Sequence, residues 1–404
     1  MPCRTSSQDQ PIGPVSGAGE RAGAETRLRR DRPTRLSYGA LGAYAFWLYA
    51  FGPAVALLRA DLHFSYTLVG VYSALWAAGA AAVGASFAVV SRWLGRRLLL
   101  WGSAAGVAGG AALFALSGRV SLTLLGAVIM GFAGTMVQNV TQSVLSDHHG
   151  PLRAQALVES NIGAGACAVL APLALGGLAR TPAGWRSAMA LPVGALLALY
   201  LAYRREGLAV AVVGPQDARR PRLPLAVWLL AGLVAVGIAV EFCVIYFGAE
   251  LLSVDGLSTH NAATAMSGFY AGILAGRLAG GRLLRRPERT TGLLWASLAI
   301  TATGFGLFWL VASPTPALAG LVIAGIGVAN LFPLSLALTL DVVPGHTDAA
   351  NGATQLLGGL IVIAAPLALG ALADLVGLRL AFGTEFVLIG FSAALLFLGR
   401  RRTS

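Results

Sequence analysis

The sequence contains no lysine and little charge of either sign. All 29 basic residues are arginines, the acidic residues number 17, and only 11% of the 404 residues are charged. A soluble domain carries about 25% charged residues. Because 56% of the residues are hydrophobic and the mean hydropathy is +0.74, no soluble fold of this length could bury the apolar surface. The composition therefore predicts an integral membrane protein in contact with the lipid bilayer.

Cysteines and catalytic motifs are also scarce. The three cysteines, Cys3, Cys167 and Cys243, have neither disulfide nor metal-ligand spacing. The sequence has no Walker loop, metal-ligand cluster or nucleophile motif. We therefore expect no metal, no cofactor, no ATP-driven step and no enzymatic activity. A net charge of +12 would suggest nucleic acid as the partner of a soluble protein. In an apolar chain it indicates membrane topology instead, and we expect no nucleic-acid partner.

One segment of the chain occurs twice. Residues 171–179 read Ala-Pro-Leu-Ala-Leu-Gly-Gly-Leu-Ala, and residues 365–373, 194 positions later, differ from them at one position. The same offset aligns three further pairs: Gly131 with Gly325, Gly165 with Gly359, and Asp147 with Asp341. A constant offset in an apolar chain indicates two copies of one unit, as in transporters built from repeats.

The hydrophobic runs predict twelve membrane-spanning helices. In the first half they cover 37–58, 66–90, 98–117, 121–146, 155–179 and 187–203, and in the second half 224–252, 260–283, 290–311, 317–341, 351–375 and 381–399. The first bundle is thus 37–203 and the second is 224–399. The basic, proline-containing residues 204–223 are the predicted linker. We expect residues 1–36 to be a disordered basic tail and residues 400–404 a short second tail.

The arginines support this layout. With a cytoplasmic N-terminus, 23 arginines fall on the cytoplasmic side and 5 on the other, and Arg277 lies within a helix. This split follows the positive-inside rule and predicts both termini in the cytoplasm and the chain in the cell (inner) membrane. Because six crossings separate the two copies, they share one orientation and are parallel repeats.

Two basic loops carry a family resemblance. The first reads Ser91-Arg-Trp-Leu-Gly-Arg-Arg97, and the second reads Gly276-Arg-Leu-Ala-Gly-Gly-Arg-Leu-Leu-Arg-Arg286. Each follows the second helix of its half and resembles the Gly-x-x-x-Asp-Arg-x-Gly-Arg-Arg loop of the major facilitator superfamily. Neither copy has the Asp, and the first lacks the leading Gly. The stretch 149–161 is also similar to permeases of the fucose permease-like branch.

This resemblance implies a secondary transporter with a central cavity between two six-helix halves, working by alternating access on a small organic solute. We expect it to act as a monomer. Two alternatives stay open. One is a multidrug or metabolite efflux permease with proton antiport, and the other is a membrane receptor or scaffold that has lost transport.

Two carboxylates are candidates for proton coupling. Glu241 lies near the middle of the helix 224–252, with no basic residue within two turns. Charges at membrane depth cost about 2.5–3.5 kcal/mol on insertion scales, so they indicate function. A carboxyl buried without a partner holds its proton more firmly than one in water, so protons are an expected partner of Glu241. The alternative is a neutral Glu bonded to a neighbouring helix. Glu159 lies near a helix N-terminus, and the alternative for it is that the helix dipole stabilises its charge there.

Amides and aromatic residues are the candidates for a solute cavity. Gln138 and Gln142 share one face of the helix 121–146, and residues 332–336 of the other half do not repeat them, which favours solute binding over interhelical hydrogen bonding. The aromatic stripe from Tyr44 to Phe51 could stack a ring, although helix packing is the alternative. The full set of cavity candidates is Tyr44, Trp47, Gln138, Asn139, Gln142, Asn161, Tyr270, Asn330 and Gln355.

Two aspartates are candidates for a cytoplasmic gate. Asp147 and Asp341 end equivalent helices, and each can reach the basic loop of its own half. We expect ion pairs that hold the inner face closed. The alternative is a pair of solvated salt bridges worth about 0–1 kcal/mol each. The candidate gate residues are Arg92, Arg96, Arg97, Asp147, Arg277, Arg282 and Asp341.

Overall fold

The computed structural model describes residues 28–208, 223–283, 290–311, 313–343 and 347–402, and all regular structure in these ranges is helical. The predicted tail therefore lies mostly outside the described residues, as do most of the linker and the loop 284–289. The helices are α1 Arg32–Leu62, α2 Tyr66–Leu116, α3 Val120–His149, α4 Arg153–Leu178, α5 Leu191–Tyr203, α6 Leu225–Val254, α7 Thr259–Leu283, α8 Thr290–Leu310, α9 Pro314–Val328, α10 Leu331–Asp341, α11 Thr347–Val376, α12 Leu378–Phe382 and α13 Thr384–Arg401.

Eleven helical segments of the described chain are long and apolar enough to cross a membrane. α2 supplies two of them, Tyr66–Gly84 and Trp93–Leu116, while α9 and α10 together form one. The predicted helix 260–283 corresponds to α7, which has 25 residues but is not among the eleven. The all-helical membrane fold is confirmed, whereas the count of twelve crossings stays a prediction.

Two helix boundaries differ from the sequence-based expectation. α1 begins at Arg32, inside the predicted tail, because Asp31 caps the helix by accepting from the Thr34 backbone N–H and Pro33 suits the first turn. The predicted loop at 91–97 is a kink inside α2. Gly95 adopts φ 69° there, a value that favours glycine, and the helix continues on both sides of it.

The two halves repeat their internal packing at the same offset as the sequence. A Cβ on Gly126 would come 2.8 Å from the carbonyl oxygen of Gly110, and a Cβ on Gly320 would come 2.6 Å from that of Gly304. Gly126 and Gly320 are 194 positions apart, and so are Gly110 and Gly304. The small residues therefore bring α3 against the second part of α2, and α9 against α8, in the same way in each half.

The helices define two faces of the molecule. We call the face that holds the start of α1, the ends of α5 and α13 and the start of α6 the termini face, and the opposite face, with the α1–α2 turn, the far face. The halves meet through α4 with α7 and through α11 with α2. Phe51 of α1 lies in the core between them, with its ring centroid 4.4 Å from that of Trp76 and 6.1 Å from that of Tyr246.

Candidate functional site

The far face holds the halves together. The Asp374 carboxylate, at the end of α11, accepts the backbone N–H groups of Tyr66 and Thr67 at 2.8 and 2.7 Å, so the second half caps the N-terminus of α2. Arg59 pairs with Glu250 at 3.1 Å, which is the only ion pair between the halves among the described residues. All of these groups lie at the far-face ends of their helices.

The repeated Ala-Pro-Leu-Ala-Leu-Gly segment forms the other part of this contact. A Cβ on Gly176 would lie 2.5 Å from the carbonyl oxygen of His260 in the other half, and a Cβ on Gly370 would lie 2.4 Å from that of Tyr66. His260 and Tyr66 are themselves 194 positions apart. The duplicated segment thus brings α4 against α7 and α11 against α2 at the far face.

A cavity of about 410 Å³ lies between the halves on the other side of this contact. α4 and α7 supply most of its wall, and α1 contributes Tyr49. Its lining extends to the termini-face ends of α4 and α7, where Val158 and Leu278 are exposed. The polar lining residues are Tyr49, Asn161, Tyr270, Arg277 and Arg282. The halves are therefore closed at the far face and separated toward the termini face.

Two tyrosines mark the inner end of the cavity. The rings of Tyr49 and Tyr270 meet edge to face, with centroids 5.0 Å apart. The Tyr270 side chain is 2% exposed, and its hydroxyl has no hydrogen-bond partner in the described part of the protein. A buried hydroxyl without a partner costs about 1–3 kcal/mol, so this group is available to a solute.

Two groups of opposite charge lie beside these tyrosines. Arg277 of α7 interacts electrostatically with Glu241 of α6 and with the Tyr49 hydroxyl. Glu241 is half-buried and also interacts electrostatically with Tyr49 and Tyr270. The sequence predicts a Glu241 without a basic neighbour because Arg277 is 36 positions away and only the α6–α7 packing brings it close.

Other candidate residues lie away from this cavity. Trp47 is fully buried and donates its indole N–H to the Met189 carbonyl at 2.9 Å, and the Tyr44 ring lies against Gly134. Asn330 is buried and donates to the Gly276 carbonyl at 3.0 Å. Each of these three side chains is thus engaged in packing.

The remaining amides are accessible but are not part of the cavity wall described above. Gln138, Asn139 and Gln142 are half-exposed on α3, and Gln355 is exposed on α11. Asn161 is the one amide of the candidate set in that wall, and its side chain also donates to the Leu157 carbonyl at 2.8 Å.

Glu159 binds the N-terminal segment. The Glu159 carboxylate accepts hydrogen bonds from Nε of Arg30 at 3.0 Å and from Nη2 of Arg30 at 3.2 Å. The Tyr38 hydroxyl donates to the same carboxylate at 3.3 Å. The hydrogen bond with the Glu159 carboxylate raises the pKa of Arg30. Burial works to raise the pKa of Asp31, but hydrogen bonds from Thr34 and His148 outweigh it and lower that pKa below the usual range. Together these contacts hold residues 30–34 on the termini face.

The candidate gate residues separate into two groups. Arg96 pairs with Asp147 within the first half, and Arg97 is exposed beside them. In the second half, Arg277 and Arg282 line the cavity, and Asp341 forms no ion pair with any described residue. The Arg92 side chain lies outside the described part of the chain. Because Arg96 and Asp147 belong to one half, their ion pair cannot by itself join the two halves.

Sequence reasoning missed several residues of this site. Tyr49 lies off the aromatic stripe of α1, and its position in the sequence does not indicate a cavity residue until α7 is placed against it. Glu250 was detectable as a second carboxylate in the apolar helix α6, nine residues after Glu241. Asp374 gave no signal, because its partners are backbone groups of a helix more than 300 positions away.

Two curated relatives are similar to part of the chain. They are the glucose/galactose transporters of Brucella abortus biovar 1 (strain 9-941) and of Brucella abortus (strain 2308). Each is 30% identical over 211 residues, which is 46% of this chain and 48% of the relative. The chain therefore aligns with about half the length of these relatives.

Solved structures show the same fold over most of the chain. A bacterial homologue of the human lysosomal transporter Spinster, in an inward-facing and unoccupied conformation, has a TM-score of 0.75 at 17% identity, covering 93% of this chain and 98% of that one. The nucleoside transporter NupG has a TM-score of 0.69 at 16% identity, covering 92% and 98%. At these identities the likeness shows the fold alone.

The family model of the Major Facilitator Superfamily matches residues 38–365 and, in a second match, residues 256–404. Together the two matches cover almost every helix, including both basic segments that suggested the resemblance. The relatives are transporters and not enzymes. The chain therefore belongs to the major facilitator superfamily and is a multi-pass membrane protein.

Proposed function

We propose that the protein is a secondary transporter that moves a neutral sugar-type solute by alternating access through the cavity between its halves. The observation that carries this proposal is the buried Tyr270 hydroxyl at the inner end of the cavity, which has no described protein partner. A solute hydroxyl would satisfy it, and a pyranose ring would lie against the Tyr49 and Tyr270 rings.

The charges of the site favour a neutral solute. Arg277 and Glu241 balance each other at the inner end, so an ionic solute would meet little net attraction there. Asn161 and Arg277 offer N–H donors to sugar oxygens on two sides of the cavity. The partial similarity to glucose/galactose transporters supports the same class of solute.

Glu241 is the proposed proton carrier. Loading a proton on it would remove its attraction for Arg277, and the guanidinium could then turn toward Tyr49 or the solute. Proton binding and solute binding would thus be linked through one charge pair. The arginine distribution supports a cytoplasmic termini face in the cell membrane, in which case the cavity is open to the cytoplasm.

Efflux of an apolar compound with proton antiport is the second candidate. The wall between α4 and α7 favours it, because Ile162, Ile273 and Leu274 give the cavity an apolar side. Lipophilic solutes bind such surfaces through burial of area, without needing the Tyr270 hydroxyl.

Reconstitution in proteoliposomes with an imposed pH gradient tests these proposals. We expect labelled glucose or galactose to accumulate with the gradient, and this accumulation to lose its gradient dependence in Glu241→Gln. Glu206→Gln is the matched control, because Glu206 pairs with Arg32 on the termini face, outside the cavity. Gradient-driven movement of a lipophilic dye without sugar transport would select the efflux proposal. Accumulation of neither would contradict both.

A further inference from the structure

A second cavity lies on the termini face, away from the solute cavity. It has a volume of about 660 Å³ and lies between the kinked part of α2 and the end of α5. Three arginines line it, Arg96, Arg97 and Arg204, together with the aromatic residues Trp101 and Tyr200. No step of the proposed transport cycle uses it.

One arginine of this cavity is buried and only partly paired. Arg96 is 7% exposed, and one of its terminal nitrogens bonds Asp147. The other terminal nitrogen is buried without a hydrogen-bond partner in the described protein. A guanidinium has five N–H donors in a rigid fork that suits the oxygens of a phosphate. This buried nitrogen can therefore donate a hydrogen bond to a bound anion.

The charge of the cavity is not balanced by the protein. Asp147 is the acidic residue that pairs with Arg96, while Arg97 and Arg204 are exposed and form no ion pair with any described residue. The nearby Glu206 is already bound to Arg32. The site consequently carries excess positive charge where an anionic group can approach it.

The surroundings of the cavity are apolar and face outward. Leu98 is 60% exposed and Leu201 is 64% exposed, on the α2 and α5 sides of the cavity. The rings of Trp101 and Tyr200 meet edge to face with centroids 5.1 Å apart, near the end of the membrane span of α5. Aromatic residues of this kind mark the level of lipid headgroups.

We propose that this cavity binds the phosphate headgroup of an anionic phospholipid, with the acyl chains on the apolar faces of α2 and α5. Basic pockets between membrane helices bind such headgroups. Arg96 supplies the buried donor, and Arg97 and Arg204 supply the charge at the entrance.

Native mass spectrometry of the full chain in detergent tests the proposal. Dissociation constants are measured for phosphatidylglycerol, for phosphatidylcholine and for glycerol 3-phosphate. We expect phosphatidylglycerol to bind much more tightly than the other two. The double variant Arg97→Gln/Arg204→Gln should weaken it about 25-fold, since each arginine near a phosphate contributes about fivefold. Arg97→Lys/Arg204→Lys should keep most of the affinity, because the charge is retained.

The control is Arg119→Gln/Arg153→Gln, which removes the same charge from exposed positions elsewhere on the molecule. An equal loss in this control would show general surface attraction and overturn the proposal. Equal affinity for phosphatidylcholine would do the same. If glycerol 3-phosphate binds as tightly as the lipid, the site takes a soluble anion, and the lipid assignment is wrong. The test is independent of solute transport.

Discussion

Gly176 and Gly370 make the same contact on opposite partners. Each lies at the end of one copy of the Ala-Pro-Leu-Ala-Leu-Gly segment. Each faces the carbonyl oxygen of a residue in the first turn of the adjoining helix of the other half, His260 or Tyr66, at 2.5 and 2.4 Å from the position of a Cβ. The α-carbon of each glycine thus lies so close to the opposing carbonyl oxygen that a side chain would not fit there. The far-face closure is built twice, once by each repeat.

Gly370→Ala should separate the halves at the far face. The added methyl would meet backbone rather than a flexible side chain, and overpacking of this kind costs about 1–3 kcal/mol. Spin labels at Leu116→Cys and Leu375→Cys, in a chain without its native cysteines, would report a longer far-face distance. Gly102→Ala is the control, because a Cβ there meets nothing within 4 Å. An unchanged distance distribution in Gly370→Ala would contradict the contact.

Removing the carboxylate of Asp374 should weaken the same closure by a different route. Hydrogen bonds to charged groups contribute about 1.5–3 kcal/mol, and the exposure of Asp374 brings the expected loss to about 1 kcal/mol. The population open at the far face should therefore rise about fivefold in Asp374→Ala, measured by the same spin-label pair. Asp61→Ala is the matched control, since Asp61 bonds Arg186 and Trp185 within one half. Equal effects of both variants would exclude a specific role for Asp374.

Tyr270→Phe should affect stability and solute affinity in opposite directions. The substitution removes a buried hydroxyl that lacks a partner, so the free energy of unfolding should rise by about 1 kcal/mol. The same change removes one hydrogen bond to the solute and should raise KM for sugar about fivefold. Tyr49→Phe, which removes a hydroxyl that interacts with Arg277, should not gain stability. A Tyr270→Phe protein with unchanged KM would remove Tyr270 from the solute site.

Neutralising both Glu241 and Arg277 should be tolerated better than neutralising one of them. Arg277→Gln leaves Glu241 without its electrostatic partner, and an unpaired charge at membrane depth is costly. Melting temperatures of Arg277→Gln, Glu241→Gln and the double variant, measured in one detergent, give the coupling through a double-mutant cycle. We expect a favourable coupling of about 1 kcal/mol or more. Additive effects would mean that the two groups do not interact.

The start of α1 should depend on the charge of Asp31. The pKa of Asp31 in the folded protein lies below its unfolded value. Its contribution to the stability of the fold is therefore present above the usual carboxyl range and is lost only as the pH falls through the lowered folded pKa. Asp31→Ala should destabilise this end of α1 by about 1 kcal/mol, with faster hydrogen exchange at residues 32–36. The wild-type exchange pattern should show no loss of this cap between pH 8 and pH 5. A loss within that interval would contradict the assignment of the cap to Asp31.

Much of the fold was predictable because the bilayer imposes strong local rules. A helix must be apolar over a fixed length and its arginines must favour one side, so spans, halves and repeat orientation follow from local composition and the 194-residue offset. The kink at Gly95 and the early start of α1 were not predictable, since they depend on one backbone conformation and one cap.

The sequence by itself determined that this protein is a duplicated helical membrane protein, because apolar length, charge placement and internal repetition are properties of the chain. Only the tertiary structure decided which polar residues act together. Tyr49, Glu241 and Arg277 belong to three helices, and Trp47 of the predicted aromatic stripe packs inside its own half. The physical reason is that a polar side chain in a membrane helix needs a partner, and that partner lies on a neighbouring helix rather than nearby in sequence.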